Sequence, residues 1–184
     1  MLPVMLDPTR LRVGLAGRGA LTLKRLEWFR KLGVSPEIFS DTPSAELADA
    51  AGDLILPRLP DPGDLVALDV LWIADLERHE AEDLFTQARA VKVLVNVEDD
   101  LPFCDFHTPS VVKRGRLVIA AGTGGASPAV AAAVRVRVEE AFPEGWADAL
   151  EDIAAARAQL RASGATAAEV SADARDRLSA ACLI

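Results

Sequence analysis

Apolar and polar positions follow two alternating rhythms along the first two thirds of the chain. Short β-branched or wholly apolar runs are each followed by a stretch with helical spacing. Leu11-Arg-Val-Gly-Leu-Ala16 reads as a first strand, and the amphipathic segment after it runs as a helix to Leu32, where Gly33 supplies a stop. A short strand ends at Ile38-Phe39, Ala45 to Ala51 has helical spacing, and Asp53-Leu-Ile-Leu56 fits another strand. Val70-Leu-Trp-Ile-Ala74 is apolar throughout and bounded by Asp69 and Asp75, the pattern of a strand buried on both faces. Glu77 to Arg89 reads as helix and Val91 to Val95 as the next strand. This rhythm predicts an α/β fold: a Rossmann-like parallel sheet covered by helices on both faces. Trp72, Trp28 and Phe29 are expected in its core.

Beyond Asn96 the period is lost in an acidic, proline-containing segment. Ser110 to Lys113 and Leu117 to Ala121 then read as strands around Arg114-Gly-Arg116. A long helix begins near Pro128, where proline suits the first turn, and after Phe142-Pro-Glu-Gly145 a charged, alanine-rich tail reads as two helices parted near Ser163-Gly164. The expected organisation is a nucleotide-binding, Rossmann-like domain over 1–107, a smaller α/β region over 108–142, and a helical C-terminal region over 143–184.

Composition narrows the possible functions. With 51% apolar residues the chain can bury a core, which excludes disorder as its general state. Twenty Lys and Arg against 28 Asp and Glu give a formal charge of −8, so no nucleic-acid partner is expected. Cys104 and Cys182 lie far apart without metal-binding spacing, and His79 and His107 have no second ligand nearby in sequence. Neither a disulfide nor a metal site is expected. The opening Met1 to Asp7 lacks a basic region and meets proline and acid early, so a cytoplasmic location is expected. The longest uncharged run, Leu117 to Val134, is broken by Gly122-Thr-Gly-Gly-Ala-Ser-Pro128, which argues against a membrane span.

Four segments carry candidate chemistry. Gly17-Arg-Gly-Ala-Leu-Thr22 lies between a strand and a helix, where glycines let a pyrophosphate approach the helix amides. Asp41, after the second strand, stands where an acid accepts from the ribose hydroxyls and repels a 2′-phosphate, which favours NAD over NADP. A tight βα turn with a helix-capping Asp fits the same residues. Asn96-Val-Glu-Asp-Asp100 follows a strand directly, so its acids either face a ligand crevice or form a solvated loop. Lys113-Arg-Gly-Arg116 is a cationic cluster in an acidic chain, either a solvated turn or a dock for a polyanion. Gly122 to Pro128 is either an anion cradle or a strand-to-helix turn capped by Ser127.

The order of these pieces is more specific than any one of them. The Gly-x-Gly turn with Lys24-Arg25, Asn96-Val-Glu-Asp99, Cys104-Asp-Phe-His-Thr-Pro-Ser110 and Gly122 to Pro128 together resemble the precorrin-2 dehydrogenase family, including the first module of siroheme synthase. The resemblance spans roughly Val13 to Phe142. It implies NAD-dependent oxidation of precorrin-2 to sirohydrochlorin by a homodimer built through the region over 108–142. In some relatives the same site also inserts Fe²⁺. A tetrapyrrole-binding homologue with weakened NAD binding is the non-enzymatic alternative.

The family's key aspartate falls on Asp99, implying proton removal or substrate orientation. Its cofactor contacts fall on the turn Gly17, Arg18 and Gly19, on Ala20 and Leu21, and on Asp41 and Thr42. Lys113, Arg114 and Arg116 are the expected docking groups for the substrate's carboxylates, with His107 and Thr123 beside them. Thr123 also stands where some relatives carry a phosphorylated serine. Three departures stand out: Arg18 replaces the middle glycine of the family's turn; Thr22 replaces a smaller residue, so strand and helix are expected to sit slightly further apart; and Ile73-Ala-Asp-Leu-Glu77 replaces the family's Ala-Ala-Thr-Asp-like strand end, removing a hydroxyl expected near the cofactor.

Overall fold

The computed structural model describes residues 2–184; Met1, the first residue of the segment read for a leader, lies outside the described residues. The chain divides into two compact units, one ending at Thr108 and one beginning at Pro109. Among the described residues, no helix is long and apolar enough to cross a membrane.

The first unit holds a five-stranded sheet made of β1 (Val13–Gly17), β2 (Glu37–Phe39), β3 (Ile55–Leu56), β4 (Val70–Ala74) and β5 (Leu94–Val97). Every pairing is parallel and the strand order is β3-β2-β1-β4-β5. The helices are α1 (Ala20–Leu32), α2 (Ala45–Ala51), α3 (Pro62–Ala67) and α4 (Arg78–Ala90). Strand periodicity divides the core into two layers. Leu15, Ile38, Val70 and Trp72 pack with Leu26, Phe29 and Leu47 of α1 and α2. Ala16, Phe39, Leu71 and Ile73 turn the other way, toward Leu65 of α3 and Ala81, Leu84 and Ala88 of α4. This is the expected α/β arrangement, with both faces of a parallel sheet covered.

Local chemistry sets the ends of the elements. Gly33 adopts φ 77 after α1 and donates to the carbonyls of Arg30 and Phe29, closing the helix as its position in sequence implies. The sequence pattern misses α3, which is too short to show a period. It forms because Asp61 and Asp64 make a reciprocal capping box around Pro62 at the first helical position. Strand β5 begins at Leu94 rather than Val91. Helix α4 runs to Ala90, and Lys92 takes φ 69 in the turn that returns the chain to the sheet.

The second unit holds an antiparallel hairpin, β6 (Ser110–Arg114) and β7 (Leu117–Ala121), turning at Gly115 with φ 56. Three helices follow: α5 (Pro128–Ala141), α6 (Trp146–Ala162) and α7 (Ala167–Ala180). Helix α5 packs on the hairpin, and α6 packs on α7. Buried apolar side chains are few among the described residues: Val112, Ala131, Ala156 and Val170.

Candidate active site

In a parallel sheet the carboxyl ends of the strands face one edge, and a ligand crevice opens where the strand order reverses. Here that point lies between β1 and β4. The residues after β1 are Arg18 and Gly19, and the residue after β4 is Asp75.

Gly17 is required by packing, and Gly19 lets a neighbouring side chain come close. A Cβ on Gly17 would lie 2.0 Å from the Ala74 carbonyl oxygen and 2.2 Å from Thr22 Oγ1. Thr22, expected to hold the helix slightly off the strand, is instead wholly buried against this glycine and donates to Ala74 O at 3.3 Å. A Cβ on Gly19 would meet Asp75 Cγ at 3.1 Å.

Asp75 occupies the start of α1. Its Oδ2 accepts from Gly19 N at 3.1 Å, Thr22 N at 2.8 Å and Thr22 Oγ1 at 3.0 Å. It holds this place with φ 54, a left-handed conformation uncommon for a residue with a side chain. The amides of Ala20 and Leu21, at the first two helical positions, have no acceptor among the described residues.

Arg18 does not point idly from the turn. Its Nε and Nη2 donate to the two Asp41 oxygens at 2.8 and 2.9 Å, while Nη1 and Nη2 reach Glu80 at 2.6 and 2.8 Å. The guanidinium beside Asp41 lowers its carboxyl to about 2 and also lowers Glu80. Thr42 donates to Asp41 Oδ1 at 3.3 Å. Glu80 therefore belongs to the cluster, a residue the sequence reading did not single out. Its signal was only a place in the first turn of a helix that follows a buried strand.

Asp99 follows β5, two strands from β1, or about 10 Å across the sheet at the usual strand spacing. It is exposed and also left-handed, with φ 63. The surrounding motif residues hold its loop. Asn96 Nδ2 donates to Phe106 O at 2.8 Å, and Cys104 Sγ donates to the carbonyls of Val97 and Asp100 at 3.1 and 3.3 Å. Asp105 Oδ2 accepts from Val95 N at 2.9 Å. Burial raises the Cys104 thiol, which keeps it protonated in this role. Next to Asp99, Glu98 takes two hydrogen bonds from buried Arg25 at 2.7 and 2.6 Å. Phe106 packs edge-on against Trp72, whose indole donates to Thr108 Oγ1 at 3.0 Å.

The structure thus places Gly17, Arg18, Gly19, Ala20, Leu21, Asp41, Thr42 and Asp99 along one edge of the sheet. His107 lies at the end of the same unit, half-buried. Lys113, Arg114 and Arg116 lie on the β6–β7 hairpin of the second unit. Arg114 is largely committed there: Nε donates to Phe142 O at 2.8 Å and Nη1 to Lys113 O at 3.0 Å. Arg116 donates to Glu151 at 2.8 Å. Thr123 closes the loop before α5, accepting from Ser127 N at 3.1 Å and donating to Ser127 O at 3.2 Å. Among the described residues, no group of three or more His, Cys, Asp or Glu could hold a metal ion.

A parallel sheet of this order, with a glycine turn entering α1 at the switch point and an acid after β2, defines a dinucleotide-binding α/β protein. Free amides at Ala20 and Leu21 fit a phosphate, and Asp41 with Thr42 fits a ribose; the carboxylate of Asp75 is the one discordant group. A family model described as "Putative NAD(P)-binding" matches residues 4–110. The chain belongs to this NAD(P)-binding family. It is 29% identical to a siroheme synthase of Pseudoalteromonas atlantica over 146 residues, which cover 77% of this chain and 31% of that protein. It is 30% identical to siroheme synthase 1 of Yersinia enterocolitica over 152 residues, covering 80% and 32%. The match thus spans about a third of the length of these curated relatives. The fold is that of the solved structure of SirC, a precorrin-2 dehydrogenase, with a TM-score of 0.76, 18% identity and 98% of each chain covered.

Proposed function

We propose that this chain is a cytoplasmic, homodimeric precorrin-2 dehydrogenase that uses NAD to form sirohydrochlorin in siroheme biosynthesis. The carrying observation is Asp99, an exposed carboxylate held left-handed at the carboxyl edge of the sheet by a loop tied down through Asn96, Cys104 and Asp105. Siroheme synthase relatives and the SirC fold support the substrate class.

The reaction removes a hydride and a proton from the tetrapyrrole. NAD supplies the hydride acceptor when bound. The Ala20 and Leu21 amides hold its phosphates, and Asp41 with Thr42 receives the ribose. The Asp41 carboxylate accepts from the ribose hydroxyls, which favours NAD over NADP. Asp99 takes the substrate proton onto a carboxylate oxygen, so little other chemistry is needed from the protein. Lys113, Arg114 and Arg116 on the hairpin carry the positive charge that suits the substrate's carboxylates, and His107 and Thr123 are the further substrate-binding candidates.

The dimer is supported by the second unit. A unit that buries so few apolar side chains is poorly stabilised alone. Its α5 meanwhile exposes Val130, Val134 and Val136 beside a groove lined by Ala133, Val138 and Phe142.

The test is turnover of precorrin-2 with NAD, followed by the absorbance of sirohydrochlorin. Asp99→Asn separates charge from strain, because Asn tolerates the left-handed conformation. It is expected to lower kcat by roughly 10²- to 10⁴-fold, the usual share of a general base, with NAD affinity unchanged. Full turnover by this variant, or none by the unmodified protein, overturns the reading.

A further inference from the structure

We infer that Asp75 is an internal competitor for the cofactor's phosphates and sets the dinucleotide affinity of this chain. The inference rests on the nucleotide-binding reading above and concerns a residue outside the expected cofactor contacts.

Helix N-termini bind anions through free amides and the positive end of the helix dipole. In this chain an anion is already there. One oxygen of Asp75 collects three donors, two of them amides of the turn and first helical residues. Asp75 sits left-handed, and the glycine at position 19 lets its carboxyl group lie close, since a Cβ there would come within 3.2 Å of Oδ2 and press it away by a few tenths of an ångström. Residues held in such conformations persist when surrounding contacts over-determine them. Here those contacts are the donors on either side of the free Ala20 and Leu21 amides, so the carboxylate borders the place an incoming phosphate would take.

The neighbouring cation does not offset this charge. Arg18 is already shared by Asp41 and Glu80, each through two hydrogen bonds. Around the helix end, therefore, one cation faces three carboxylates: Asp41, Asp75 and Glu80. A pyrophosphate brings further negative charge. It must either displace Asp75 from three hydrogen bonds or dock on Ala20 and Leu21 beside it, against like-charge repulsion. Both routes weaken binding relative to a neutral residue at position 75.

The experiment is a calorimetric titration of the full chain with NAD, comparing the unmodified protein with Asp75→Asn and Asp75→Gly. Asn keeps an acceptor and tolerates the left-handed backbone while losing the charge; Gly removes the side chain and relieves the backbone. Circular dichroism confirms folding of each. Both variants are expected to bind NAD at least about tenfold more tightly, the scale of one charge-assisted contact. Inorganic pyrophosphate should compete with NAD more effectively in the variants than in the unmodified protein. If the unmodified chain binds NAD and neither folded variant gains affinity, the inference falls and the dehydrogenase reading stands. If none of the three binds NAD, both fall. Binding by the variants alone supports the inference and overturns NAD-dependent turnover by the natural chain.

Discussion

Arg18 stands in the middle of the first turn, where glycine would leave only backbone, and its guanidinium ties the end of β2 to the start of α4 through Asp41 and Glu80. These groups are partly exposed, so solvent screening keeps the contribution to stability modest. Its pH dependence is nonetheless defined. Asp41 has a folded value of about 2 against an ordinary value near 3.8, and Glu80 is lowered as well, both chiefly through hydrogen bonds from Arg18. A carboxyl lowered by folding stabilises the native state above its unfolded value, and that contribution disappears as pH falls through the folded one. Urea unfolding should therefore show Arg18→Ala less stable than the unmodified protein near neutral pH. The gap should close as pH falls from about 4 to about 2, the window between unfolded and folded carboxyl values. A gap that stays constant over that window would remove the ion pairs as its cause.

At the scale of elements, the loop after β5 is anchored from two sides. Asn96, Cys104 and Asp105 tie it to its own strand, and Glu98 ties it to α1 through Arg25. Arg25 is buried, its Nε has no hydrogen-bond partner among the described residues, and its guanidinium lies 5.1 Å from the Trp28 ring centroid. Removing Glu98 leaves that cation desolvated and unpaired. Glu98→Ala should cost about 2–4 kcal/mol, on the low side for a broken buried pair because water reaches Glu98. The double variant Arg25→Met with Glu98→Leu should recover most of that loss, as apolar replacements of buried pairs often do. Urea denaturation of the unmodified protein, Glu98→Ala and the double variant checks this. A double variant no more stable than Glu98→Ala would show that the pair contributes through packing alone.

Across the whole molecule the two units differ in how much they bury. The first packs both faces of its sheet with large apolar residues, including Phe29, Phe39, Leu71 and Ile73. The second relies on small buried residues and leaves valines of α5 exposed. Under the dimer proposed above, Val134 lies in the interface. Val134→Glu should then convert the dimer to monomer in sedimentation velocity and lower the midpoint of thermal unfolding. A variant that still sediments as a dimer would place the interface elsewhere.

Much of this architecture was legible in one dimension. Alternating runs and helical spacing determine the β-α order, because each apolar stripe must find a sheet or helix to cover it. Gly33 marks the end of α1, and the stretch Asn96 to Pro128 marks a family resemblance. The boundaries of β5 and the existence of α3 were not legible, since a return turn and a six-residue helix leave no period to read. Candidate site residues were visible as residue types after strands. Their partners were not. Arg18 and Asp41 are 23 residues apart, Arg18 and Glu80 are 62 apart, and Asp75 meets Thr22 across 53. Such pairings exist only once parallel strands bring their carboxyl ends to one edge. Tertiary structure therefore decided that the arginine in the glycine turn is satisfied by two acids, and that a third acid lies on the amides of the helix. The physical reason is that charge compensation and helix capping depend on distance in space, and the topology of the sheet sets that distance.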